Sequence, residues 1–224
     1  MNPISNGSKG RVIVTCGPAY APIDEVRRIT NHSTGQLGSQ LSNHFARAGW
    51  DVLCFRGVGA THCEPFEPNV RCVPFSTNDD LLARWQAVEG KDAIRAVFHA
   101  AALTDFTVKH VSDASGMRLA DSKIPSRAGE LTITLEPSRK LICELRGLFP
   151  SARLVGWKYE LNGTQDDVLA KGSLQILENH TDACVVNGRA YGTGFGILQT
   201  GQPLVHVTEA AGLCDWLAHW LERE

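Results

Sequence analysis

The chain has 224 residues, 43% of them hydrophobic and 21% charged, with a formal net charge of −2. That length supports one large core, and the near-neutral balance lacks the positive field that a nucleic-acid backbone demands, so no nucleic-acid partner is expected. No run approaches the roughly 18 consecutive apolar residues of a membrane span, so no membrane association is expected either. The polar N-terminus has no apolar centre of the kind a signal peptide carries; residues 1–10 read as a flexible tail and residues 11–224 as a single domain. Seven cysteines, an odd number with wide spacing and no C-x-x-C pair, argue against a disulfide framework and for a reducing, cytoplasmic compartment. His62 and Cys63, taken with Cys54 and Cys72, lack the ligand spacing of a zinc site, and no metal site is predicted.

In chain order, the β-branched run Arg11–Thr15 predicts a buried strand stopped by Cys16, Gly17 and Pro18. A helical pattern starts at Gly35 with Leu37, Leu41 and Phe45 on one face; Ser33 or Thr34 is placed to cap it and Gly49 to end it. Residues 51–55 and 70–74 read as strands, and a helix capped by Asn78 or Asp79 carries Leu81, Leu82, Trp85 and Val88. Residues 96–100 form the next strand. The stretch from Leu103 to about Gly129 has weak periodicity and is too long for a simple connection, so it reads as a lid or binding loop. Leu131–Leu135 alternates like a strand, Arg139–Leu148 looks helical, and Leu154–Trp157 is a strand. A helix over Gln165–Asn179, a strand over Ala183–Val186, two short β runs near Gly196 and Val205, and a helix from Glu209 to Glu222 complete the chain.

Strands alternating with helices imply an α/β, Rossmann-like, doubly wound and mostly parallel sheet with helices on both faces and a long active-site lid loop. Ligands in such sheets bind beyond the C-terminal strand ends, which singles out Gly17, residues 101–105, residues 157–160 and Asn187. The dinucleotide fingerprint is missing: Gly35-x-x-Gly38 is present, but no G-x-G-x-x-G follows the first strand. An alternative remains in an NADP-binding oxidoreductase with Arg56 on the 2′-phosphate, or in a non-catalytic nucleotide-binding module. The helix that begins after Asn31-His32-Ser33-Thr34-Gly35 offers unpaired N–H groups and the positive end of its dipole, which suit a phosphate or a carboxylate. Taken alone, Asn31 and Ser33 read first as simple capping residues.

A wider set of motifs resembles the phosphopantothenoylcysteine synthetase (phosphopantothenate–cysteine ligase) family, in a stand-alone form without the decarboxylase domain. Val14-Thr-Cys-Gly-Pro-Ala followed by Pro22-Ile-Asp-Glu-Val-Arg-Arg-Ile-Thr-Asn-His-Ser-Thr-Gly is similar to that family's opening. Ala100-Ala-Ala-Leu-Thr-Asp-Phe, Ser122-Lys-Ile-Pro-Ser, Val155-Gly-Trp-Lys-Tyr-Glu and Val185-Val-Asn-Gly follow in the family's order, over about residues 11 to 222.

The resemblance implies a two-step ligation in coenzyme A biosynthesis. The carboxylate of 4′-phosphopantothenate attacks the α-phosphate of CTP or ATP, pyrophosphate leaves, and the amine of cysteine attacks the acyl-nucleotide. It implies Mg²⁺ with the nucleotide, no FMN, and a homodimer in which the apolar run Phe195–Leu198 is a candidate interface. Asn31 would hold the substrate carboxylate, with His32, Ser33, Gly35 and Asn187 completing the substrate site, and Lys123 would neutralise phosphate charge as the lid closes. Gly17, Ala101, Asp105, Arg139, Lys140, Leu141, Ile142, Trp157 and Lys171 would contact the nucleotide. A second nucleotide-contacting lysine has no clear match, and Pro18, which has no N–H, stands where the family has glycine.

Overall fold

Eight strands form the central sheet of a computed structural model that describes residues 8–127 and 129–223. The apolar run after Arg11 becomes strand β1 (Arg11–Cys16), buried along nearly its whole length at the middle of the sheet. Its neighbours are β4 (Asp51–Gly57) on one side and β6 (Ile94–His99) on the other, both parallel to it. Beyond β4 lies the edge strand β5 (Val70–Phe75). Beyond β6 lie β10 (Arg153–Tyr159), β11 (Ala183–Asn187), β12 (Phe195–Leu198) and β13 (Val205–Val207), giving the order β13-β12-β11-β10-β6-β1-β4-β5. Only the β11–β12 and β12–β13 pairings are antiparallel. The order reverses direction at β1 and β6, so a crevice opens beyond their C-terminal ends.

Helices cover both faces, as the alternation predicts. On one face α1 (Gln36–Arg47) and α5 (Ala210–Glu222) pack Phe45, Leu41 and Leu217 against Val14, Val52 and Phe98. On the other, α2 (Asn78–Gln86), a 3-10 turn over Leu141–Glu144 with α3 (Leu145–Leu148), and α4 (Gln165–Asn179) pack Trp85, Phe149, Leu145 and Val168 against the sheet. Gly38 sets how closely α1 approaches β1. A Cβ there would stand 2.3 Å from the Cβ of Cys16, so only glycine lets the helix start directly over the strand end.

Several local expectations change. The long first connection holds a two-stranded ribbon, β2 (Tyr20–Pro22) and β3 (Arg28–Thr30), too short for sequence periodicity to reveal. The predicted lid loop is itself a sheet: β7 (Phe106–Asp113) pairs with β8 (Arg118–Leu119) and with β9 (Leu131–Pro137), all antiparallel. Its alternation is hidden by a register shift between Val108 and His110. The helix expected over Arg139–Leu148 is a 3-10 turn that passes into one short α turn. The cap of α2 is Thr77, whose hydroxyl accepts from the Asp80 N–H, rather than Asn78 or Asp79. The N-cap of α1 is Gly35 at φ 78°, not Ser33 or Thr34, although Thr34 Oγ1 accepts from the Gln36 N–H at 3.3 Å.

The predicted N-terminal tail lies outside the described residues up to residue 7; Lys9 is tied down through its N–H to the Gly49 carbonyl and through its ammonium to Glu222. The apolar run Phe195–Leu198 is β12, hydrogen-bonded on both sides with Ile197 in the core, so its hydrophobicity is explained by sheet packing. Among the described residues, no helix is long and apolar enough to cross a membrane.

Candidate active site

The crevice at the strand ends is an open cleft of about 1090 Å³. Its floor is the join between two chain segments that leave the sheet side by side. The Ala102 N–H donates to the Gly17 carbonyl and the Ala19 N–H to the Ala102 carbonyl, extending the β1–β6 pairing past the ends of the strands. Below, Thr15 Oγ1 lies 2.8 Å from His99 Nδ1 and accepts from the Ala101 N–H. His99 is enclosed, and burial pushes its imidazole down to about 4, so it stands neutral beneath the floor at physiological pH.

One side wall is the start of α1. Gly35, in the left-handed region, turns the chain so that Gln36, Leu37 and Gly38 line the cleft along with His32, Ser33 and Thr34. Thr34 Oγ1 takes up the Gln36 N–H, but the N-cap Gly35 has no side chain to offer and the first turn carries no acidic residue, so the remaining N-terminal N–H groups and the positive dipole end stay uncompensated. The predicted contacts Gly17, His32, Ser33, Gly35 and Ala101 all lie on the floor and this wall. Asn31 does not line the cleft itself. It sits exposed at the rim, where Nδ2 donates to the Leu103 carbonyl at 2.8 Å and bridges the α1 loop to the segment after β6.

The opposite wall is cationic. Arg139, Lys140, Leu141, Ile142, Trp157 and Lys171, which the resemblance names as nucleotide contacts, line the cleft together with Asp105 and Asn187. Leu141 is in the core, so only its backbone is offered to a ligand. Arg139 is engaged by Glu144 at 2.6 Å. The Lys171 ammonium lies 2.7 Å from Glu160, and Lys158 lies 3.5 Å from the same carboxylate. Lys171 foremost, with Lys158 adding to it, holds the Glu160 carboxyl below the usual range against the desolvation that raises it. Lys158 also lines the cleft; it falls in the strand-end segment 157–160, but no site role was predicted for it. Its signal was the alternation within β10, which places Gly156 and Lys158 on one face and Trp157 on the other. Trp157 packs on the α1–α5 core and reaches the cleft. The Asn187 Oδ1 is buried at the cleft with no protein partner among the described residues.

The third part is the sheet of β7, β8 and β9, which leaves the floor at Asp105 and returns at Ser138. Asn78 pins both ends: its Nδ2 donates to the Thr104 carbonyl and to Ser138 Oγ, while the Ser138 N–H donates to the Asp105 carbonyl. Lys123, between β8 and β9 in this excursion, is exposed and does not line the cleft. Its neighbours are clamped to the β2–β3 turn. The Asp24 carboxylate accepts from the N–H groups of Val26, Arg27 and Ile124, and Arg27 donates to both Asp24 and the Ile124 carbonyl. The Ser122 carbonyl accepts from the Glu25 N–H. Desolvation raises the Asp24 carboxyl, but Arg27 and the three amides together outweigh it and hold the group well below the carboxylate range. The acid and the arginine that the sequence placed in the first connection therefore act as a latch on the Lys123 segment. Arg56, the candidate for a 2′-phosphate, donates instead to the carbonyls of Ala60 and His62 and does not line the cleft.

Comparison with known proteins matches this chain over residues 8–212 to the family described as the DNA/pantothenate metabolism flavoprotein C-terminal domain. It is 29% identical over 195 residues to a cysteine/cysteine sulfinic acid decarboxylase of an unknown prokaryotic organism, covering 83% of this chain and 48% of that protein. It is 29% identical over 184 residues to the coenzyme A biosynthesis bifunctional protein CoaBC of Thermococcus kodakarensis, covering 82% of this chain and 42% of the relative. The chain thus spans about half the length of these curated relatives. Among solved structures, the DNA/pantothenate metabolism flavoprotein from Streptococcus pneumoniae superposes with a TM-score of 0.83 at 23% identity, covering 95% of this chain and 98% of that one. A Cab2 variant in complex with phosphopantothenate-cysteine superposes with a TM-score of 0.68 at 16% identity, covering 94% and 88%.

Proposed function

Because this chain belongs to the DNA/pantothenate metabolism flavoprotein C-terminal domain family, we propose that it is a phosphopantothenate–cysteine ligase of coenzyme A biosynthesis, driven by CTP or ATP. The observation that carries this reading is the cleft itself. An acid-free helix start lines the same cleft as Lys140, Lys158 and Lys171, over a floor of backbone at the sheet's switch point. One wall suits a carboxylate and the other a triphosphate, which are the two anions the reaction must bring together.

In this reading the substrate carboxylate sits against the α1 N-terminus with Asn31 reaching it from the rim, and it attacks the α-phosphate held along the lysine wall. Pyrophosphate leaves as Lys123, carried by the β7–β9 excursion, closes over the phosphates. Closure also excludes water, which would hydrolyse the acyl-nucleotide before the amine of cysteine attacks the acyl carbon and releases the nucleoside monophosphate. Asn31 donates to the acyl oxygen, and Asn187 offers its free Oδ1 to the amine or amide of the substrate. Among the described residues no group of three or more His, Cys, Asp or Glu side chains is built to hold a metal ion. Mg²⁺ fits here as a companion of the nucleotide, with Asp105 as the carboxylate at hand. When bound it screens the triphosphate and eases departure of pyrophosphate. The chemistry uses no flavin, and we read the working form as a cytoplasmic homodimer. Phe106, Ile133 and Leu135, exposed on the β7–β9 sheet, support a partner-covered face.

Protein incubated with Mg²⁺, phosphopantothenate, cysteine and either CTP or ATP is expected to release pyrophosphate and form the amide; no release with either nucleotide overturns the reading. Removing a donor that acts on developing charge costs about 100-fold, so Asn31→Ala is expected to slow consumption of the acyl-nucleotide by that order. Lys123→Gln is expected to slow its formation. Full rates in both variants would show the residue assignment to be wrong.

A further inference from the structure

Three of the seven cysteines stand on three adjacent strands. Cys16 ends β1, Cys54 lies at the centre of β4, and Cys72 lies on the edge strand β5. The Sγ atoms of Cys16 and Cys54 are 3.7 Å apart, and Cys54 and Cys72 are direct register partners. Side chains of register partners project from the same face of a sheet, and neighbouring strands run about 4.8 Å apart. That separation falls inside the Cα–Cα range a disulfide can span, roughly 4.4–6.8 Å. Cys54 is fully buried, whereas Cys72, on the edge strand β5, is exposed. Arg56 adds positive charge beside the cluster, its guanidinium fixed by the carbonyls of Ala60 and His62.

We propose that Cys72 is a site of oxidation by hydroperoxides, and that Cys54 resolves the oxidised sulfur into a disulfide between β4 and β5. In the first step the Cys72 thiolate attacks one peroxide oxygen. The O–O bond breaks, the sulfur takes OH and is oxidised by two electrons, and the other oxygen leaves as hydroxide or alkoxide, which takes up a proton. In the second step the Cys54 sulfur attacks Cys72 Sγ and displaces the hydroxyl, which leaves as water with the Cys54 thiol proton. The protein supplies what each step needs. Donation from the Cys54 thiol, aided by Arg56 and opposed by partial burial, brings the Cys72 thiol down to about 7, so a large share is thiolate at neutral pH. The hydrogen bond with Cys16 foremost, then that with Cys72 and burial, push the Cys54 thiol upward, so it carries its proton until the hydroxyl departs.

Two other exposed cysteines provide internal controls. Cys63 donates its thiol proton to the Thr61 carbonyl and Cys143 to Asn179 Oδ1, and neither has a cysteine as register partner. Cys16 lines the floor of the cleft, so the thiol cluster connects the sheet edge to the site.

The test is to treat the native chain with hydrogen peroxide, quench with an alkylating reagent and map the peptides by mass. The expected result is a loss of two hydrogens in a Cys54–Cys72 crosslink, formed at least about tenfold faster than any oxidation of Cys63 or Cys143 and reversed by dithiothreitol. Cys54→Ser is expected to leave a dimedone-reactive sulfenic acid on Cys72. Oxidation of Cys63 or Cys143 at the rate of Cys72, or of Cys72 without a bond to Cys54, overturns the proposal. The mapping on the native chain decides the matter even if the variant fails to fold.

Discussion

The floor of the cleft and the arm that carries Lys123 are held by different kinds of force. The floor is continuous with the hydrophobic core: Thr15, Cys16 and His99 are buried and α1 approaches β1 at glycine distance. The arm leaves the sheet between Asp105 and Ser138 and is fixed at two polar points, Asn78 at its base and the Asp24–Arg27 latch at its tip. Core packing leaves no room for adjustment. A latch of a few hydrogen bonds can open and re-form at modest cost. Under the proposed function, a ligase that must fix two anions and then shut out water needs a rigid floor and a movable cover, and these two regions are suited to those tasks.

The comparison breaks most visibly at Gly38. A valine there is expected to force α1 off β1, with a loss of about 3 kcal/mol, at the top of the usual range for overpacking. An unchanged denaturation midpoint would show that the floor is softer than described. A smaller effect belongs to His99. Its folded-state value of about 4 lies below the ordinary 6.5, so above pH 6.5 both states are neutral and it contributes nothing. As pH falls below 6.5 the unfolded chain takes up the proton first, and stability drops by about 2 kcal/mol at pH 5. His99→Gln is expected to flatten that slope; the same slope in wild type and variant would remove His99 from the account.

On the arm, Asp24→Ala is expected to leave global stability nearly intact while releasing the Lys123 segment. Amide exchange at Ile124 is expected to rise at least about tenfold, the equivalent of one hydrogen bond to a charged group, and the rate of acyl-nucleotide formation to fall with it. Protection of Ile124 equal to wild type would show that the latch is not what holds the tip. The smallest effect is expected for Glu160→Gln, which removes the carboxylate shared by Lys158 and Lys171. Exposed ion pairs are worth under about 1 kcal/mol, so the KM for the triphosphate is expected to fall by no more than about fivefold. The gain should vanish in high salt; a salt-independent change, or a rise in KM, would contradict the electrostatic role given to the lysine wall.

Much of the framework was legible because long, strongly patterned segments declare themselves. The strands β1, β4, β6, β10 and β11 and the helices α1, α4 and α5 stand where their hydrophobic periodicity placed them. The cleft also gathers Gly17, Asp105, Lys140, Lys171 and Asn187 from five separate parts of the chain, all picked out in advance by strand-end position and family motif. What periodicity could not reach were elements of two or three residues and a sheet interrupted by a register shift, which is why β2, β3 and β7 were read as loop.

By itself, then, the sequence determined the α/β alternation and the residue types at the strand ends, because burial and backbone geometry write a period into the chain. Only the tertiary structure decided what those residues do to one another. It made Asp24 and Arg27 a clamp on Ile124, which lies one hundred residues beyond Asp24 in sequence. It spent Arg56 on backbone carbonyls, brought Lys158 to the wall, and lined up Cys16, Cys54 and Cys72 across three strands. Such pairings depend on which strands become neighbours, and strand order is fixed by how the helices pack on the sheet rather than by any local pattern.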